Sequence, residues 1–282
     1  MPSLLSNITS RLTSISDTPA LDASVLLAHV IHKPRTWVLA HPEFTATAEQ
    51  QDKLDELISK LAGGEPFPYV LGHWEFFGLD LEVTPDVLIP RAETELLVEK
   101  AISRMKESPT RRTVADIGTG SGAIAIAIAA NIPDARILAT DISSRALQVA
   151  QRNASKFHVE ARIEFVECDL LPAKRNFLTT DQHLDLICAN LPYIPTETLY
   201  TLPIYGREPT LALDGGADGL ALIRKLLQLA PGWLAPNSMI LLEIEASTGL
   251  QALDLAHDLF SEAEIRLHQD LAGNDRLLEI IL

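Results

Sequence analysis

The sequence predicts an α/β fold: a doubly wound, mostly parallel sheet, preceded by a small all-helical domain and a β-hairpin linker. Three observations carry this. From Thr113 onward, short apolar runs alternate with helical stretches, the pattern of a parallel sheet covered on both faces. A glycine-rich turn follows the first of these runs. The first sixty or so residues show helical periodicity instead.

The totals set outer bounds. A chain of 282 residues, 47% hydrophobic and 5% aromatic, can bury an aliphatic core without cross-links. Its two cysteines, Cys168 and Cys188, stand at no metal-ligand spacing. They point to a reducing compartment and to no metal site. Lacking both a leader pattern and an apolar run of membrane-spanning length, the chain is expected to be cytoplasmic, with no membrane partner. Lys+Arg 23 against Asp+Glu 38 gives a net charge of −15. Gripping a phosphate backbone needs a basic face, so no direct nucleic-acid partner is expected.

Taken in order, Leu21, Val25, Ala28 and His29 share one helical face, as do Leu54, Leu57, Ile58 and Leu61. Thr47 with Gln50 fits a capping box, and Gly63-Gly64 supplies the stop. His29, His32 and His41 lack a ligand spacing. Gly64-Glu65-Pro66-Phe67-Pro68 breaks the helical pattern, and His73 to Val83 reads as two short strands meeting near Gly78. Ile89 to Glu95 leads into a helix with Leu97, Ala101 and Met105 on one side. Arg91, Glu93 and Thr94 read as surface charges with a helix cap unless they face a pocket. Strands are predicted at Thr113–Ile117, Arg136–Thr140, Arg162–Val166, Leu184–Ala189, Met239–Ile244, Ala263–Leu267 and Arg276–Leu282. Helices follow the first two, from Ala123 to Ala130 and from Ser144 to about Lys156.

The candidate site lies where open α/β sheets place ligands, outside the carboxyl ends of the strands. Gly118-Thr119-Gly120-Ser121-Gly122 joins the first strand to its helix and allows close backbone approach to a ligand. Asp141 ends the second strand, where a carboxylate can accept ribose hydroxyls. Asp169 ends the third and can accept an exocyclic adenine amine, with Leu170 packing on the ring. Each acid alone also fits a strand end or helix cap. The spacing satisfies the dinucleotide fingerprint as well as the compact loop of S-adenosylmethionine-dependent methyltransferases. Asn190-Leu191-Pro192-Tyr193 ends the fourth strand. It reads either as a strand-ending turn or as a pocket for a planar group. In the second reading the Asn190 amide and Leu191 carbonyl accept from an –NH2, Tyr193 stacks and Pro192 shapes the turn.

Over nearly its whole length the chain resembles the release-factor glutamine methyltransferases. The resemblance rests on Val83 to Glu95, Asp116 to Gly122, Asn190 to Ile194, Glu208 to Leu220 and Asp270 to Arg276. It implies a seven-stranded class I methyltransferase sheet. It divides the chain into a helical substrate-recognition domain (1–66), a hairpin linker (67–90) and a catalytic domain (91–282). It also implies S-adenosylmethionine as cofactor, held by Gly118 to Gly122, Asp141, Asp169, Leu170 and Asn190. Asn190, Leu191, Pro192 and Tyr193 would be catalytic, and the substrate would be the glutamine in the Gly-Gly-Gln loop of a peptide-chain release factor. The family usually carries proline where this chain has Leu191, and that form resembles ribosomal RNA adenine dimethyltransferases. The alternatives are therefore adenine N6 methylation of RNA or DNA, and glutamine methylation of a ribosomal protein.

Overall fold

The computed structural model describes residues 3–173 and 183–282. It divides into two compact units, Met1–Gly72 and His73–Leu282. The first is built of α1 (Leu4–Leu12), α2 (Pro19–Ile31), α3 (Arg35–Ala40), α4 (Ala48–Ala62) and α5 (Phe67–Leu71). Ile8, Leu12, Leu26, Leu54 and Leu57 are at its centre. The α4 capping box forms: Gln50 N–H donates to Thr47 Oγ1, and Gln50 Oε1 accepts from Thr47 N–H.

Two expectations change here. Helix α2 buries Ala23, Leu26, Leu27 and Val30, while Leu21 is exposed. The segment is apolar nearly all round, so more than one stripe fits the periodicity, and packing selects among them. Residues 67–71, placed in the linker, form a helix whose Val70 and Leu71 join the core of the first unit. Proline reads as a breaker in sequence, yet Pro68 lies in the first turn, where no N–H is required.

The second unit opens with a hairpin, β1 (His73–Phe76) paired antiparallel with β2 (Leu79–Glu82). After α6 (Glu95–Glu107) come β3 (Thr113–Ile117), α7 (Ala123–Asn131), β4 (Arg136–Asp141), α8 (Ser144–Lys156), β5 (Ile163–Glu167) and β6 (Leu184–Ala189). The rest is α9 (Thr196–Leu199), α10 (Ala221–Leu229), β7 (Leu234–Glu243), α11 (Gly249–Leu259), β8 (Glu264–Gln269) and β9 (Asp275–Ile281). The seven strands from β3 to β9 are ordered β5-β4-β3-β6-β7-β9-β8. All neighbours are parallel except β9, which runs antiparallel to both β7 and β8. Strand β7 starts five residues before its predicted Met239, because Leu234 pairs with Leu184 across a register shift.

Successive residues of each central strand feed opposite cores, as expected of strands buried on both faces. Val114, Leu186 and Leu241 pack with α6 and α7, whereas Ala115, Ile187 and Leu242 pack with α10 and α11. Strand order reverses between β3 and β6, so a crevice opens at their carboxyl ends. The hairpin is fixed to this region by buried Asn153 of α8. Its Oδ1 accepts from Glu82 N–H, and its Nδ2 donates to the carbonyls of Glu82 and Ser121. One side chain thus ties the hairpin to the glycine loop.

Candidate active site

A cleft of about 1170 Å³, counting the space at its mouth, lies at the carboxyl ends of β3, β4 and β6. Gly118, Thr119, Gly120, Ser121, Asp141, Asp169, Leu170, Asn190, Leu191 and Pro192 all line it. Gly122 and Tyr193 do not. A Cβ on Gly122 would lie 2.9 Å from Ile126 and 3.1 Å from Ala150, so this glycine admits close packing of α7 on α8. At Gly118, where φ is +72°, the Leu191 side chain would be met at 3.1 Å. The glycine loop and the Asn190 tetrad therefore touch directly.

The loop is built from its acids. Asp116 is wholly buried beneath it, accepting from Thr119 Oγ1 at 2.7 Å and from Ala125 N–H at 3.0 Å. Burial pushes its carboxyl up to about 7. Asp141 Oδ2 accepts from Gly120 N–H at 2.9 Å and Oδ1 from Ser143 N–H at 2.9 Å. Burial raises this group too, and its remaining lone pairs face a cleft it lines. Asp169 pairs with Lys225. Leu170 holds a left-handed backbone, φ +65°, with its carbonyl accepting from Thr140 Oγ1. Such a conformation is costly for leucine and persists where the surroundings over-determine it. A carboxylate beside a glycine turn, a buried apolar wall and a second acid make a donor and acceptor set that fits an adenosine-type cofactor.

Around the tetrad the structure assembles groups the sequence left apart. Asn190 Nδ2 donates to Thr94 Oγ1 at 3.0 Å, and Thr94 Oγ1 donates to Glu243 Oε2 at 2.5 Å. Tyr193 Oη donates to Glu243 Oε1 at 3.2 Å. No donor among the described residues reaches the Leu191 carbonyl. Arg91 and Thr94 do face the cleft. Arg91 Nη2 lies 2.5 Å from Glu208, whose other oxygen accepts from Ile89 N–H at 3.0 Å. This pair joins the segment before α6 to the wall formed by Pro209, Leu211 and Ala212.

The Asp214-Gly215-Gly216 segment supports the tetrad from behind. Ile194 N–H donates to the Leu213 carbonyl at 3.1 Å and Gly215 N–H to the Ile194 carbonyl at 2.8 Å. A Cβ on Gly215 would lie 2.7 Å from Tyr193 Cα. Glycine is needed there because two backbones pack without side chains between them. Sequence reasoning flagged this stretch but gave it no role, and it passed over Glu243. A glutamate closing an apolar strand was the available signal for the latter.

Burial pushes the Glu243 carboxyl from 4.5 up to about 7, against the bonds from Thr94 and Tyr193 and the nearby Arg276 charge; Glu93 adds to the rise. The folded state therefore retains a proton that the unfolded chain releases near pH 4.5. It binds more protons between about pH 4.5 and 7, so this group's contribution to stability falls as pH rises through that window. Asp116 behaves alike. Urea unfolding should show stability declining more steeply from about pH 5 to 7.5 in the wild type than in Glu243→Gln. Parallel slopes would contradict the assignment.

Comparison with known proteins agrees with this architecture. Residues 3–72 match the family described as the PrmC N-terminal domain, and residues 92–200 match the methyltransferase small domain. A release factor glutamine methyltransferase of Moorella thermoacetica is 42% identical over 259 residues, 92% of this chain and 89% of its own. One from Coxiella burnetii is 38% identical over 275 residues, 96% of this chain and 95% of its own. Among solved structures, a methyltransferase from Pyrococcus furiosus shares the fold at 17% identity and TM-score 0.50, covering 83% of this chain and 98% of that one. A SAM-dependent methyltransferase from Agrobacterium tumefaciens does so at 14% identity and TM-score 0.51, covering 74% of this chain and 69% of that one. With relatives this similar along nearly all of its length, the chain belongs to the release factor glutamine methyltransferase family.

Proposed function

We propose that the protein transfers a methyl group from S-adenosylmethionine to the side-chain nitrogen of the glutamine in the Gly-Gly-Gln loop of a peptide-chain release factor. One observation carries the chemistry. The Asn190 –NH2 is committed to Thr94, which leaves Asn190 Oδ1 and the Leu191 carbonyl as two acceptors beside the glycine loop. A primary amide offers two N–H donors to such a pair.

In this reading the Gly118–Gly122 loop, Asp141, Asp169 and Leu170 hold the cofactor, which supplies an electrophilic methyl on a sulfonium. An amide nitrogen is a poor nucleophile, its lone pair being delocalised into the carbonyl, so the main task of the protein is placement. Asn190 and the Leu191 carbonyl aim the nitrogen and stabilise the positive charge that grows on it. Pro192 restricts Leu191 to extended backbone and so keeps its carbonyl on aim. Tyr193, set behind the cleft wall, braces the tetrad through its bond to Glu243. The proton leaves to water after transfer, and no strong base is required.

The helical first unit supplies further contacts to the release factor. The net charge of −15 disfavours RNA or DNA as substrate. No helix among the described residues is long and apolar enough to cross a membrane, and a role in translation fits a cytoplasmic location. Labelled S-adenosylmethionine offered with a release factor or with stripped ribosomal RNA should mark the release factor alone. Label on the RNA, or label that persists after the Gly-Gly-Gln glutamine is replaced, would overturn the proposal.

A further inference from the structure

We infer that Thr94 and Glu243 are positioning residues of methyl transfer, fixing which way the Asn190 amide faces; this rests on the glutamine-methylation reading above. The two come from distant parts of the chain, Thr94 just before α6 and Glu243 at the end of β7. Both are buried, and they meet at 2.5 Å.

The argument is one of proton supply. Above about pH 7 Glu243 has lost the proton that burial retains, and an ionised carboxylate only accepts, so both of its neighbours must donate to it. Tyr193 Oη gives its proton to one oxygen of Glu243 and Thr94 Oγ1 gives its proton to the other. A hydroxyl has a single proton. Once that proton points at Glu243, Thr94 can only accept from Asn190, so the Asn190 –NH2 must turn toward it. Oδ1 is then left for the substrate. With nothing to set this polarity, the amide can rotate and offer –NH2 to an incoming –NH2, setting donor against donor. Glu243 also holds the Tyr193 hydroxyl, so a single carboxylate fixes both the Asn190 amide and the tyrosine that braces the tetrad. Neither Thr94 nor Glu243 needs to touch the reacting atoms.

The test uses the full-length protein at about pH 8, where Glu243 is ionised, with a release factor substrate and the variants Thr94→Val, Thr94→Ser, Glu243→Gln and the Val/Gln double variant. Thr94→Val keeps the shape and removes the hydroxyl. It should lower kcat by about tenfold or more, the scale of one misdirected hydrogen bond. KM for the release factor and Kd for S-adenosylmethionine should stay within about threefold. Thr94→Ser, which keeps the hydroxyl, should hold kcat within about twofold. Glu243→Gln should resemble Thr94→Val, and the double variant should lose no more than the worse single one, because both interrupt one chain of bonds. Unchanged kcat in Thr94→Val, equal loss in Thr94→Ser, or losses that multiply in the double variant would each overturn the inference. If Glu243→Gln fails to fold, the Thr94 pair still decides. A wild-type enzyme that leaves the glutamine unlabelled would instead remove the function itself, and this inference with it.

Discussion

Asn190→Ala should lower methyl transfer by about 10²–10³-fold while S-adenosylmethionine affinity stays within a few-fold. The size follows from what one preorganised polar group aimed at developing charge contributes inside a water-poor site. Asn190 lines the cleft, its amide is held by Thr94, and its backbone leaves a strand whose last four residues are buried. Truncation removes one of two acceptors and leaves the fold around it intact, since Thr94 keeps its bond to Glu243. Nucleophile placement suffers and cofactor placement does not, because the glycine loop and Asp141 hold each other independently at 2.9 Å. Single-turnover methyl transfer set beside calorimetry of cofactor binding separates the two. Equal loss in both would make Asn190 a structural residue only.

Gly219→Ala should be the most damaging substitution outside the acceptors. Gly219 holds φ +75°, and a Cβ there would run into the carbonyl oxygen of Tyr193. The new methyl pays for a left-handed backbone and also collides with a neighbouring main chain that Gly215 and Ile194 already pin. Together these should cost about 2–4 kcal/mol of stability. Activity should fall as well, since relief of the collision displaces Tyr193. Gly206 supplies the control. It shares φ +75° but has open space where its Cβ would sit, so Gly206→Ala should cost only the conformational part, about 1 kcal/mol. Denaturant midpoints of the two variants measure the difference. Equal costs would show that close approach to Tyr193 does not matter.

Much of this architecture was legible in the sequence because it rests on local pattern. The alternation after Thr113 announces a parallel sheet, and the glycine loop with Asp141 marks its ligand end, since these signals lie in successive β-α units close together in the chain. What escaped is what only tertiary structure supplies. Thr94 and Glu243 are 149 positions apart and meet only because α6 begins and β7 ends at the crevice. Arg91 and Glu208 meet across 117 positions because the segment before α6 and the segment after α9 flank the same cleft. Within the first unit, α2 is so uniformly apolar that periodicity selected a face holding exposed Leu21, where packing selected Leu26 and Leu27. The α5 helix was hidden by prolines that a first helical turn accepts. Leu191 stands where the family usually carries proline, and sequence alone does not say what its side chain touches. The structure places its buried side chain against Gly118 and leaves its carbonyl without a donor among the described residues.

The most direct measurement is the position of the transferred methyl. A release factor incubated with the protein and S-adenosylmethionine, then digested and fragmented by mass spectrometry, should carry one methyl on the side-chain nitrogen of the glutamine in its Gly-Gly-Gln loop. The modification should be absent from the Asn190→Ala reaction. A methyl on any other residue, or on that glutamine with Asn190→Ala as active as the wild type, would contradict the amide clamp.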